Sequence, residues 1–284
     1  CIRDRMLGFD FNKGRLDESA HPFTGGTPDD VRITTRYEEK QFISGLMGIL
    51  HETGHALYEK GLPQNWRRQP VGGARGMDVH ESQSLLIEMQ VCRSLEFLTY
   101  ASPLIQEAFG QSGPEWAPEN LYRLVTNVRP NLIRVDADEV TYPLHVILRY
   151  RLELALLSKD LSLDDLPFAW NTATKMLLDL TPSNDMDGCL QDIHWFDGAF
   201  GYFPSYTFGA IIAAQLFAAA KADVGNMLPA IEQGDFRPLY VWLGNHVHGL
   251  GSLLETPQMV HRATGKELNA DTFLEHLQHR YLPT

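Results

Sequence analysis

Two histidines and a glutamate in the segment GILHETGHALYEKG have the types and the spacing that bind a metal ion and activate water. His51, Glu52 and His55 form the pattern H-E-x-x-H. On a helix, residues i and i+4 lie on one face about 5 to 6 Å apart, so both imidazoles can reach a single Zn²⁺. Glu52, one position further on, would project beside a water molecule on that ion. The pattern therefore predicts a metal site with its own general base.

The residues around this pattern are apolar, with GLMGIL before it and AL after it. They place the imidazoles and the carboxylate in a largely buried helix. Burial of such groups costs free energy unless they have partners, and a metal ion is one possible partner. The alternative is a helix that carries polar residues by accident, and the apolar flanks favour the metal site over it.

A hydrolytic zinc site has three protein ligands and one open position, so a third ligand must come from elsewhere. The segment MDVHESQSLLIEMQ offers His80, Glu81 and Glu88. Glu81 and Glu88 are seven residues apart on one helical face, and spacing alone does not separate them. Glu81 is favoured because negative charge is stabilised near a helix start, with His80 supporting a ligand or contacting substrate.

Six motifs in this order resemble those of the carboxypeptidase Taq family of zinc metallopeptidases. Together they span 175 residues, from position 21 to position 195, and such a set is far more specific than the H-E-x-x-H pattern alone. The motifs are HPF at 21–23, DVRIT at 30–34, HETGH at 51–55, HESQ at 80–83, IRVDAD at 133–138 and GCLQDIHW at 188–195.

The resemblance implies a zinc-dependent carboxypeptidase that removes C-terminal amino acids from peptides. It implies that the third ligand is the Glu of the HESQ motif, thirty residues after the first His, which is Glu81 here because 81 − 51 = 30. Glu52 is then the general base. The resemblance also implies one zinc per chain with Co²⁺ as a possible substitute, broad specificity, and a homodimer. Related sites often carry an Asp four residues after the Glu ligand, but Leu85 stands there, so a supporting carboxylate is expected from another segment.

A carboxypeptidase must bind the free α-carboxylate of its substrate, which a planar guanidinium does best through two parallel hydrogen bonds. Arg32 in DVRIT and Arg134 in IRVDAD match the family's motif arginines, and the resemblance implicates them in this role. The alternative for Arg134 is structural pairing with Asp136 or Asp138. Arg149 is a third, weaker candidate.

Aromatic and imidazole side chains supply further candidates. Tyr202 and Tyr206 lie in GAFGYFPSYTFG, where a tyrosine of related helical peptidases donates to the developing oxyanion. Aromatic packing is the alternative for both. His21 of HPF and His194 of QDIHW are expected to contact substrate, on the strength of their motifs alone.

Two alternative functions are compatible with these residues. A zinc endopeptidase or dipeptidase could use the same scaffold, and an inactive truncated protein could keep zinc as a structural ion. Members of the family are longer, so the chain is expected to be their C-terminal catalytic portion without an N-terminal helical part.

Composition restricts the partners. The chain has 24 Lys and Arg against 36 Asp and Glu, a formal net charge of −12, which argues against nucleic acid or an anionic membrane as a partner. Three cysteines do not suggest a disulfide framework and favour a reducing, cytoplasmic compartment. The longest apolar run, FGAIIAAQLFAAA at 208–220, is too short to span a bilayer and predicts a buried helix.

After residue 35, the residues that typically start and end helices recur along the chain. The sequence predicts a mainly α helical zinc-peptidase fold in a single catalytic region over 1–284, with a small β element near the N-terminus. A proline inside one segment, Pro143, predicts a kink or break near Tyr142. The predicted helices are 36–60, 78–100, 118–128, 136–158, 165–180, 204–222 and a short one between Thr256 and Gly265.

Overall fold

A computed structural model describes residues 8–20, 22–38 and 40–282. The chain divides into two compact units, one of Cys1–Val125 with Gly209–Gln278 and the other of Thr126–Phe208 with His279–Thr284. The fold is mainly helical, as predicted. The helices are α1 Phe42–Gly61, α2 Met77–Leu85, α3 Leu95–Phe109, α4 Pro118–Val125, α5 Tyr142–Leu157, α6 Leu166–Leu178, α7 Pro204–Asp223, α8 Met227–Glu232, α9 Arg237–His246, α10 Thr256–Thr264 and α11 Asp271–Tyr281.

The first unit begins with a three-stranded sheet, which confirms the small β element expected there. Its strands are β1 Gly14–Glu18, β2 Phe23–Thr27 and β3 Asp30–Thr35, in the order β1-β3-β2. β1 pairs parallel to β3, and β2 pairs antiparallel to it. Side chains alternate between the two faces of a strand, and in β3 Val31 and Ile33 are buried in a small core with Ala56 of α1. The sheet therefore lies against the helix that carries the H-E-x-x-H pattern.

The predicted helix 78–100 is two helices, because the chain turns at residues 92–94. α2 passes into a π-helix, Leu86–Val91. The hydroxyl of Ser94 then accepts a hydrogen bond from the Phe97 N–H, which caps the start of α3. The sequence predicts that Pro103 follows the helix, whereas it lies inside α3. Leu98, Ala101 and Ile105 of α3 are buried in the main core, and this packing outweighs the missing N–H of the proline.

The apolar run at 208–220 lies in α7 and is mostly buried, as predicted, although Phe208 at its start is exposed. Ile212, Ala213 and Leu216 are buried with α3 and α9 side chains in the main core of the first unit. The single amide of this run, Gln215, is also buried and is hydrogen-bonded to the backbone of Glu267 and Asn269. None of the helices in the described ranges is both long and apolar enough to span a membrane.

The second unit is built around α5 and α6. α5 begins at Tyr142 rather than near Asp136, because Pro143 fits the first turn of a helix, where its missing N–H costs nothing. The predicted helix 136–158 is therefore shorter, with the break at the predicted place. Leu148, Leu152, Leu166, Trp170 and Cys189 form the core of this unit.

Candidate metal site

Two glycines permit the close packing that forms the site in the first unit. A Cβ on Gly54 of α1 would lie 2.4 Å from the Gln83 carbonyl oxygen and 2.5 Å from the Ser84 Cα. A Cβ on Gly209 of α7 would lie 2.8 Å from the Cβ of Glu81. α1 therefore touches the backbone of α2, and α7 leaves room for the Glu81 side chain. Gly54 is the fourth residue of HETGH, so the metal pattern itself carries the small residue that this packing requires.

His51, His55 and Glu81 bring their ligand atoms together, within 4.8 Å of one another. The Nε2 atoms of His51 and His55 each lie 3.5 Å from an oxygen of Glu81. Two ligands on a tetrahedral zinc ion, each about 2.1 Å from it, are about 3.4 Å apart. Two imidazole nitrogens and one carboxylate are also a common donor set of catalytic zinc. The three residues thus fit a metal ion in both spacing and chemistry.

His51 is held by a carboxylate on the far side of its ring. Its Nδ1 lies 2.9 Å from an oxygen of Glu88, and the other oxygen of Glu88 accepts a hydrogen bond of 2.8 Å from Arg93. With Nδ1–H donating to Glu88, the Nε2 lone pair faces Glu81 and is free for a metal. Glu88 therefore orients a ligand and is not part of the three-residue group itself. The supporting carboxylate comes from the π-helix directly after α2, not from a separate segment as expected.

His55 is held by a second imidazole. Its Nδ1 lies 2.7 Å from Nδ1 of His80, whose Nε2 lies 2.9 Å from an oxygen of Glu59. If His55 uses Nε2 for a metal, its Nδ1–H donates to His80, and the Nε2–H of His80 donates to Glu59. Each nitrogen then has one defined protonation state. Because both ring nitrogens of His80 are engaged, the structure favours the supporting role over the substrate contact.

The electrostatics of the site favour a cation. Burial lowers the pKa of His51, but the charges of Glu81 and Glu88 outweigh it and raise this pKa to about 9. Burial, followed by repulsion from His51 and His80, lowers the pKa of His55 well below its ordinary value. Burial raises the pKa of Glu81. The carboxylates of Glu81 and Glu88 therefore favour positive charge at this site, as a metal ion would supply.

Glu52, the predicted base, lies beside the ligands and is 6% exposed. Burial raises the pKa of its carboxyl, while a hydrogen bond from Thr24 opposes this shift. The Thr24 hydroxyl lies 2.7 Å from Oε2 of Glu52. Thr24 belongs to β2 and is not among the site residues predicted from the sequence.

Of the other candidates in this unit, Arg32 is the one that the structure describes. It lies on β3 between the inward-facing Val31 and Ile33, so its side chain points to the opposite face of the sheet. The guanidinium is 57% exposed and pairs with Asp30 at 2.8 Å. Its proposed role in carboxylate binding stays a prediction. His21 lies outside the described residues.

In the second unit, Arg134 and Arg149 share one carboxylate. Arg134 Nε donates to one oxygen of Asp192 at 2.9 Å, and Arg149 Nε donates to the other at 2.6 Å. The side chains of both arginines are buried, at 7% and 0% exposure. Gln191 accepts from the Arg134 backbone and from the Arg149 side chain. The partner of Arg134 is thus Asp192 of the QDIHW motif rather than Asp136 or Asp138.

Three further candidates surround this pair in the same unit. His194 Nε2 lies 3.0 Å from the hydroxyl of Tyr206, and the Tyr202 ring packs against both. The guanidinium of Arg134 lies 4.9 Å from the Tyr206 ring centre, a distance at which a cation is attracted to an aromatic ring. The structure therefore groups Arg134 with His194, Tyr202 and Tyr206, which lie at least 60 residues further along the chain.

Comparison with known proteins gives one consistent result. The sequence model of the carboxypeptidase Taq (M32) metallopeptidase family matches residues 4–281. A thermostable carboxypeptidase 1 of Thermus thermophilus is 45% identical over 275 residues, covering 96% of this chain and 54% of the relative. Carboxypeptidase 1 of Bacillus subtilis is 41% identical over 97% of this chain and 55% of the relative.

Solved structures agree with these relatives. Metallocarboxypeptidase 1 of Trypanosoma cruzi matches with a TM-score of 0.96 at 43% identity, covering 99% of this chain and 59% of that one. The M32 carboxypeptidase of Deinococcus radiodurans matches with a TM-score of 0.93 at 39% identity, covering 99% and 57%. The chain therefore spans a little over half the length of the proteins it resembles.

Proposed function

Because the chain belongs to the carboxypeptidase Taq (M32) family of metallopeptidases, we propose that it carries the metal centre of a carboxypeptidase acting on peptides with a free C-terminus. The observation that supports this best is the convergence of His51, His55 and Glu81 within 4.8 Å. Glu52 follows His51 directly in α1, and its carboxylate is buried beside them. A site of three metal ligands with an adjacent carboxylate is the arrangement of a metal-assisted hydrolase.

His51, His55 and Glu81 are the proposed ligands of one Zn²⁺. When bound, zinc supplies Lewis acidity toward the scissile carbonyl and lowers the pKa of water. Glu52 is the proposed general base: its carboxylate removes a proton from the attacking water and later gives it to the leaving amine. Burial raises the pKa of Glu52, which brings this carboxyl closer to the range where a base both accepts and releases protons at neutral pH.

The other roles implied by the resemblance stay predictions that mutation can test individually. Arginine supplies the donors for the substrate carboxylate, tyrosine supplies donors to the oxyanion, and histidine contacts the peptide. The residues are Arg32 and Arg134 for the carboxylate, Tyr202 and Tyr206 for the oxyanion, and His21 and His194 for the peptide. His80, implied as a further peptide contact, is instead proposed to support His55.

Matched tripeptides with free and amidated C-termini test the substrate class. A carboxypeptidase cleaves the free peptide and loses this activity on amidation, because the carboxylate that it binds is gone. Equal rates on both peptides would instead identify an endopeptidase. Absence of cleavage in a chain that retains one metal ion would identify a non-catalytic metal-binding protein.

The Glu52→Gln variant tests the base. It should lose about 10³-fold or more in turnover, because an amide cannot accept the proton, while metal content stays near one ion per chain. Glu107→Gln, which changes an exposed glutamate of α3, is the matched control and should keep native activity. Unchanged turnover in Glu52→Gln would refute the assignment.

The proposal has four further parts: zinc as the native metal, Co²⁺ as a substitute, a homodimer and a cytoplasmic location. Zinc is supported by the imidazole and carboxylate donor set. The homodimer and Co²⁺ are supported by the family resemblance, and the cytoplasmic location by the small number of cysteines. Elemental analysis of protein purified without added metal, light scattering at several concentrations and fractionation of cells test these parts separately.

A further inference from the structure

Strand β2 delivers a hydroxyl to the carboxylate of Glu52. Thr24 pairs with Ile33 of β3 in the antiparallel register, and directly paired residues point to the same face of a sheet. Ile33 is fully buried in a cluster with Ala56 of α1. The Thr24 side chain therefore faces α1, one turn of helix from Ala56, where Glu52 lies.

The Thr24 hydroxyl has two acceptors within reach, both on Glu52. Its Oγ1 lies 2.7 Å from the carboxylate Oε2 and 3.0 Å from the backbone carbonyl oxygen. A hydroxyl has one proton, and the shorter contact to a charged acceptor is the stronger hydrogen bond. Within the described part of the chain, Thr24 is the hydrogen-bond donor to this carboxylate. Oε1 of Glu52 is left without a donor there and is available for another proton.

We propose that Thr24 is a positioning residue for the general base, and that its hydroxyl holds Oε2 of Glu52 so that Oε1 is presented to the attacking water. This inference rests on the proposed function. A glutamate side chain has three rotatable bonds, and a base acts only when its oxygen lies within about 2.6 to 3.2 Å of the proton it removes. Anchoring one oxygen from a separate element fixes the other without using it.

The anchor depends on the sheet rather than on the helix. β2 is an edge strand whose position is set by its pairing with β3, and the Val31 and Ile33 side chains of β3 are buried in a cluster with Ala56 of α1. The HPF motif at 21–23 leads directly into this strand, so a segment far from the metal ligands in sequence controls the orientation of the base.

Thr24→Val tests the proposal, since it keeps the shape of the side chain and removes the hydroxyl. The expected result is a fall in kcat of about 10- to 100-fold, with KM within about twofold and metal content near one ion per chain. Thr24→Ser, which restores the hydroxyl, should recover most of kcat. Thr27→Val, at the exposed end of the same strand, is the control for replacing threonine with valine and should keep native kcat. Native kcat in Thr24→Val would overturn the proposal, as would a loss that Thr24→Ser does not recover.

A second measurement does not depend on turnover and separates this proposal from the proposed function. Urea unfolding of the metal-free native chain, Thr24→Val, Glu52→Ala and the double variant forms a double-mutant cycle, because each single change removes one partner of the hydrogen bond. A hydrogen bond to a charged carboxylate predicts coupling of about tenfold in the unfolding equilibrium constant. Additive effects would refute the contact even in an active protein, whereas coupling in an inactive chain would support it and count only against the proposed function.

Discussion

The Nδ1 atom of His51 lies 2.9 Å from a carboxylate oxygen of Glu88, so one candidate metal ligand is oriented by a buried anion. The other imidazole, His55, is oriented by the ring of His80, which is backed by Glu59. The two imidazoles thus have different supports. A carboxylate partner makes an imidazole a stronger donor to a metal than an imidazole partner does, so His51 is expected to contribute more to metal affinity than His55.

Replacing Glu88 with glutamine should weaken metal binding about 10- to 100-fold. The amide can still accept a hydrogen bond from Nδ1–H of His51, but it no longer supplies negative charge, and the nearby Arg93 loses its ion pair. The dissociation constant is measured on metal-free protein by competition with a chromophoric chelator. Glu107→Gln, which removes a charge from the exposed surface, should bind metal as the native chain does. Native affinity in Glu88→Gln would contradict the role assigned to Glu88.

A methyl group at Gly54 should separate α1 from α2 and disrupt the metal site. In Gly54→Ala the new Cβ would meet the Gln83 carbonyl oxygen at 2.4 Å, and backbone cannot move aside as a flexible side chain can. Overpacking of this kind costs about 1 to 3 kcal/mol, and the shift would pull Glu81 away from the histidines. Urea unfolding and chelator competition measure the two effects.

Gly48→Ala is the matched control in the same helix. A Cβ there meets nothing closer than 3.9 Å, and alanine is a better helix former than glycine by about 1 kcal/mol. This variant should therefore be as stable as the native chain or more stable, with native metal affinity. Equal stability of Gly54→Ala and Gly48→Ala would show that the helices are not in the close contact described.

The two candidate histidine ligands could be predicted from sequence because their placement depends on local periodicity. His51 and His55 occupy one helical face wherever that helix lies, and the family resemblance then implied Glu81 as the third ligand. The distinction between Glu81 and Glu88 could not be made from spacing, because both lie on the same face of one helical segment. The structure separates them by the ring nitrogens they meet: the Nε2 atoms of His51 and His55 both face Glu81, whereas Glu88 contacts Nδ1 on the far side of the His51 ring.

The contacts of Thr24, Arg134 and Pro103 could not be predicted from the sequence pattern, because they depend on tertiary structure. Thr24 reaches Glu52 only through the register of β2 on β3, and Arg134 meets Asp192 across 58 residues of sequence. Pro103 reads as a helix end by local rules, but tertiary packing of α3 overrides them. The position of Glu59 near the site could have been predicted, since it lies four residues after His55 on the same helical face.

Loss of the carboxylate at Asp192 should destabilise the second unit strongly. Arg134 and Arg149 are both buried and share this anion. Burial lowers the pKa of Arg149 to about 10 in spite of the charge of Asp192. Asp192→Asn leaves two buried cations without an anion, and removing one member of a buried ion pair costs about 3 to 5 kcal/mol. The free energy of unfolding in urea measures the loss, and Asp197→Asn, at an exposed position of the same segment, should change it by less than about 0.5 kcal/mol.

Acid should destabilise the first unit through His248. This residue is 5% exposed, its Nε2 lies 2.9 Å from Oε1 of Gln83, and its ring packs against Tyr58. Burial, followed by the charge of His80, lowers the pKa of His248 to about 3 from the ordinary 6.5. Between these two pH values the unfolded chain binds a proton that the folded chain does not.

The free energy of unfolding should therefore decrease as pH falls from 6.5 toward 3, by up to about 1.4 kcal/mol per pH unit from this residue, with its contribution complete above pH 6.5. His248→Gln keeps a donor for Gln83 and removes the titrating ring, so its stability should fall less steeply over this range. Urea unfolding of the metal-free protein at half-unit pH steps measures the two slopes, because chelation removes the pH dependence of metal binding. His261→Gln, which replaces an exposed histidine of α10, is the control. Parallel curves for the native chain and His248→Gln would mean that the folded protein accommodates the charged ring, contrary to its burial beside Tyr58.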